Sequence, residues 1–91
     1  MSENEVQMPK IEFPCAYPIK VMGLAAEDFE REVLAVITRH APGFGAGDVS
    51  SRPSSNGTYL SLTVVIEATG LEQLSAMFED LKATPNVKMV L

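Results

Sequence analysis

The chain has 91 residues, one domain by length, enough for a modest core and too few for a core plus a separate catalytic domain. Its residues are 46% hydrophobic and 21% charged, and no apolar run nears the roughly 18 residues of a membrane span, so a soluble globular chain without membrane contact is expected. Seven basic against twelve acidic residues leave a net charge of −5, which disfavours nucleic acid and anionic membranes as partners unless the few cations gather on one face.

The N-terminal stretch "MSENEVQMPK" carries Glu3 and Glu5 where an export signal would carry Lys or Arg and then an apolar run. A single cysteine, Cys15, forms no internal disulfide, and together these features point to the cytoplasm. Residues 1–13 follow neither helical nor alternating period, and prolines 9, 14 and 18 keep the approach extended. They read as a flexible lead-in to one domain over residues 14–91.

"YPIKVMG" alternates Tyr17, Ile19 and Val21 against Pro18, Lys20 and Met22, the pattern of a strand closed by Gly23. "AAEDFEREVLAVITRHA" then sets Phe29, Val33, Val36, Ile37 and His40 at helical spacing, with acids in the first turn, Arg39 and His40 in the last, and Pro42-Gly43 beyond. Glu27 and Arg31 stand one turn apart on its solvated flank.

"DVSSRPS" is a weak strand whose Pro53 suits a sheet edge. "TYLSLTVVIEA" is a central strand, with Leu60, Leu62, Val64, Ile66 and Ala68 on one face and Tyr59, Ser61, Thr63, Val65 and Glu67 on the other. Asn56-Gly57 between them matches a type I′ hairpin turn, which sets Arg52 opposite Ser61 and Ser51 opposite Leu62. A second helix starts at "TGLE", where Thr69 and Glu72 have capping-box spacing, and turns Leu71, Leu74, Phe78 and Leu81 inward until Pro85. "NVKMVL" closes the chain as a fourth strand, with Val87, Met89 and Leu91 alternating with Lys88 and Val90.

The order βαββαβ predicts an α+β, ferredoxin-like fold: a four-stranded antiparallel sheet with two helices on one face and the second and fourth strands at its edges. The expected core comprises Ile19, Val21, Phe29, Val33, Ile37, Leu60, Leu62, Val64, Leu74, Phe78, Leu81, Val87 and Met89.

No pattern points to catalysis, a metal or a cofactor. The "SSNG" loop resembles a phosphate cradle in composition, but such loops feed a helix N-terminus and this one feeds a strand. His40 is the only histidine and has no Cys or carboxylate at ligand spacing, so a role at the helix end fits it better. Cys15 has no adjacent base or helix start to activate its thiol. Acylphosphatases share this length and element order, and Gly23 to Arg31 has a similar separation to the glycine and arginine bracketing their phosphate loop. Here Glu27 and Asp28 fall inside that cradle, and the third strand offers no Asn to orient a water.

"FPCAYPIKVMG", "RHAPGF", "RPSSNGTYLSLTV" and "VKMVL", in order over residues 12–91, resemble the YbeD-like family of small proteins. The resemblance implies a ferredoxin-like fold similar to ACT regulatory domains, which bind small effectors and control attached or neighbouring enzymes, and it implies no established activity. ACT domains bind amino acids near the loop after the first strand, so Gly23 marks a candidate ligand loop. The acids of "GLAAED" already lie on the helix, so no particular ligand carries over.

The alternation brings Lys20 and Met22 from the first strand, Arg52 from the second, Tyr59 and Ser61 from the third, and Lys88 and Val90 from the fourth onto the sheet face away from the helices. Lys20, Arg52, Tyr59, Ser61 and Lys88 are thus an expected interaction patch for an acidic protein partner or a small anionic metabolite. The reading is a regulatory or protein-interaction domain; alternatives are a metabolite-sensing ACT-like domain and, third, an acylphosphatase-like hydrolase.

Overall fold

The computed structural model describes residues 12–91; the first eleven residues of the expected lead-in lie outside the described residues. The elements run β1 (Cys15–Leu24), α1 (Phe29–His40), a 3₁₀ turn (Ala46–Asp48), β2 (Val49–Pro53), β3 (Tyr59–Ala68), α2 (Leu71–Lys82) and β4 (Val87–Val90). The sheet order is β2-β3-β1-β4 with every neighbouring pair antiparallel. This is the expected ferredoxin-like arrangement, with β2 and β4 at the edges.

One parity of each central strand supplies the core. Ile19 and Val21 from β1 and Leu62, Val64, Ile66 and Ala68 from β3 meet Phe29, Val33, Val36 and Ile37 of α1 and Leu74, Met77 and Leu81 of α2. The register pairs Ile19 with Val64 and Val21 with Leu62, so β-branched and leucine side chains lie opposite one another under the helices. Leu60, Phe78 and Val87 are only partly buried against this core.

Met89 is a correction. It was expected inside and is 49% exposed, while Val90, expected outside, packs against the core. The cause is a bulge: Met22 pairs with Met89 and Gly23 with Val87, leaving Lys88 as the extra residue of β4. One inserted residue reverses the alternation beyond it. Gly23 takes the tight side of this junction, where the Asn86 carbonyl also accepts from the Leu24 N–H at 3.0 Å.

The hairpin between β2 and β3 has the expected register, Arg52 opposite Ser61 and Ser51 opposite Leu62, but a different turn. Only Gly57 has positive φ (77°), where type I′ needs it at both central residues. The Ser54 carbonyl accepts from the Gly57 N–H at 3.0 Å, and the Ser54 N–H donates to the Tyr59 carbonyl at 2.9 Å. Residues 55–58 thus form the loop, and a four-residue loop centred on the same bond as a two-residue one leaves the register unchanged. Asn56 Oδ1 accepts from the Thr58 N–H at 3.1 Å, which substitutes for the missing turn geometry.

Two helix contacts also differ from expectation. Gly70, not Thr69, is the N-cap of α2 and makes no side-chain cap; the reach-back comes from Gln73, whose Oε1 accepts from the Thr69 N–H at 2.8 Å. Arg31 pairs with Asp28 at 3.0 Å, the residue three rather than four positions earlier.

Candidate functional site

Each open-face row of the sheet is fixed by the strand register. Ser50 lies opposite Thr63, which lies opposite Lys20; in the next row Arg52 faces Ser61, and Ser61 faces Met22. On the far side of β1, Lys20 exchanges both backbone hydrogen bonds with Leu91, at 3.1 and 2.8 Å, and Met22 meets Met89. The face therefore has a polar, cationic half over β2 and β3, bounded by Lys20 of β1, and an apolar half toward β4, where Met89 and Leu91 are 49% and 60% exposed.

Lys20, Ser50, Arg52, Ser61 and Thr63 border one depression of about 340 Å³, with Ser51 at its rim. An adjoining hollow of about 270 Å³ extends it to Met22 and Tyr59, and Tyr59 is 47% exposed. Among the described residues, no carboxylate pairs with Lys20 or Arg52. The structure thus brings Lys20, Arg52, Tyr59 and Ser61 together. It places Lys88 apart, at the bulge, beside a separate hollow shared with Lys82 and Val87. Sequence alternation already put Thr63 on this face; Leu91 entered it only through its pairing with Lys20.

Gly23 is buried within β1. A β-carbon there would stand 2.1 Å from the Asn86 carbonyl oxygen and 2.5 Å from Phe29 Cε1, so the space beside it is filled by this chain's own groups. His40 Nε2 meets Asp80 Oδ2 at 2.6 Å, joining the end of α1 to α2. Gln73 Nε2 donates to the His40 carbonyl at 2.9 Å and so caps that helix end. Among the described residues no group of three or more His, Cys, Asp or Glu side chains is arranged to hold a metal.

Two further hollows lie away from the Lys20–Arg52 depression. Cys15 borders a groove of about 430 Å³ where Pro14–Ala16 meets Pro42–Phe44 and Glu67, so two of the segments that carry the family resemblance adjoin there. Between the helices, a groove of about 510 Å³ runs past Val36, Arg39 and Asp80. Among the described residues no helix is long and apolar enough to cross a membrane.

Residues 8–91 match the family described as "Protein of unknown function (DUF493)". The chain is 53% identical to a UPF0250 protein of Ectopseudomonas mendocina and 53% identical to one of Azotobacter vinelandii, each covering 100% of both chains. Among solved structures it resembles protein HP0495 from H. pylori, with TM-score 0.68, 19% identity and coverage of 100% of this chain and 96% of that one. It also resembles the ACT domain from GTP pyrophosphokinase of Chlorobium tepidum, with TM-score 0.63, 13% identity and coverage of 84% and 81%. At those identities the structural matches show a shared ACT-like, ferredoxin-type fold, while the full-length identity to the UPF0250 proteins shows descent. The chain belongs to the DUF493 (UPF0250) family.

Proposed function

We propose that this protein is a small non-catalytic regulatory domain of the cytosol that works by docking the open face of its sheet onto an acidic surface of a protein partner. One observation carries the reading: in a chain of net charge −5, Lys20 and Arg52 border one depression with Tyr59 beside it, and neither cation has a described carboxylate partner. An aromatic anchor flanked by unpaired cations suits a partner of opposite charge. The regulatory part draws on an analogy of fold alone, to an ACT domain that forms part of a GTP pyrophosphokinase.

The test is capture of partners from a lysate on the immobilised chain, comparing wild type with Lys20→Glu/Arg52→Glu. Exposed charges contribute little to folding, so the double variant should fold normally and lose a discrete partner that the wild type retains. Equal retention by both proteins at low and moderate salt would refute the reading.

A further inference from the structure

The polar half of the open face is more particular than a solvated sheet requires. The five side chains that face the depression, Lys20, Ser50, Arg52, Ser61 and Thr63, can each donate a hydrogen bond, and none is acidic; Ser51, paired with Leu62, turns its side chain to the other face of the sheet. Ser61 and Thr63 are half-buried in the central strand β3, and among the described residues none of the three hydroxyls of Ser50, Ser61 and Thr63 has a side-chain hydrogen bond. The hydroxyls form a floor, and the two cations stand on opposite sides of it. Arg52 on β2 and Lys20 on β1 are two strands and one pairing step apart, roughly 12 Å between backbone positions. Two long side chains across such a gap close over one compact ligand between them. The nearest acid along this face of β3 is Glu67, four residues beyond Thr63, or about 13 Å away.

We propose that this depression binds a compact oxyanion carrying two or more negative charges, with Arg52 and Lys20 as the clamping cations and the Ser61 and Thr63 hydroxyls as floor donors. Charge-assisted hydrogen bonds from a guanidinium and an ammonium are the strong terms in such a site. The hydroxyls accommodate oxygens of a phosphoryl or a carboxylate group alike. The proposal rests on the open face being the working surface and does not depend on a protein partner; an anion held there would compete with an acidic partner for the same cations.

The experiment is a titration of the isotope-labelled full chain with pyrophosphate and, separately, citrate, each at ionic strength matched with sodium chloride and followed by amide chemical shifts. Saturable shifts confined to Lys20, Ser50–Arg52 and Ser61–Thr63 are expected. Lys20→Gln and Arg52→Gln should each weaken binding about tenfold, while Arg31→Gln, on the helix side, should leave it unchanged. Saturation by pyrophosphate alone assigns a phosphoryl ligand, by citrate alone a polycarboxylate, and by both an oxyanion site selected by charge. Shifts that rise linearly with either salt, spread over Arg31 and Arg39, or persist in both Gln variants with an otherwise native spectrum overturn the site. Loss of anion binding with partner capture still dependent on Lys20 and Arg52 would remove this inference and leave the docking reading in place.

Discussion

The ring of Phe29 rests on Gly23 so closely that a β-carbon on the glycine would lie 2.5 Å from Cε1, and 2.1 Å from the Asn86 carbonyl oxygen. One side of that contact is an aromatic ring at the start of α1, buried completely; the other is backbone leading into β4. Neither yields cheaply. Gly23→Ala should therefore destabilise the fold by about 1–3 kcal/mol, the usual cost of overpacking. Denaturant unfolding of the variant checks it, and a loss under about 0.5 kcal/mol would mean that Phe29 can move aside.

Leu62 is fully buried in the middle of β3. Leu62→Ala should cost about 2–5 kcal/mol, from lost transfer energy plus the cavity left under the helices. Equilibrium unfolding measures it directly, and a near-neutral result would contradict the facing of β3.

The bulge in β4 makes a paired prediction. Val90 packs against the core whereas Met89 is 49% exposed opposite Met22. Val90→Ser should destabilise by about 1–2 kcal/mol and Met89→Ser by less than about 0.5 kcal/mol. The reverse order in thermal or chemical unfolding would restore the simple alternation of the fourth strand.

Gln73 ties both helix ends together, accepting from the Thr69 N–H and donating to the His40 carbonyl. Gln73→Ala should cost about 1–2 kcal/mol by removing both bonds, and more than Glu72→Ala, whose residue is exposed in the first turn. If the Glu72 variant is the less stable of the two, the capping box read from the sequence is the operative one.

Gly57 at φ 77° is the turn's only positive-φ position. Gly57→Ala should cost about 1 kcal/mol, while Asn56→Ala should lose the acceptor shared by the Thr58 N–H and the exposed Ser54 hydroxyl, about 0.5–1.5 kcal/mol. Comparing Asn56→Gly separates the turn types. A gain in stability on that change would show that Asn56 is strained as a type I′ turn requires.

The facing of the two central strands and the register of the hairpin were legible in the sequence, although the turn type and the helix cap were not. Ile19 and Val21 on one side of β1, Lys20 and Met22 on the other, and the pairing of Arg52 with Ser61 follow from a two-residue repeat and an even-numbered loop. Those same rules brought Lys20, Arg52, Tyr59 and Ser61 onto one face. Tertiary structure decided what local rules cannot see. Lys88 left the patch because β4 docks with a bulge against Gly23, a junction shaped by Phe29 and Asn86 from elsewhere in the chain. His40 found Asp80 forty residues away, and Gln73 displaced Glu72 as the reach-back residue because it also reaches the end of the other helix. For His40 and Gln73 the sequence supplied a group able to bond locally, and packing two helices on one sheet brought a more distant partner closer.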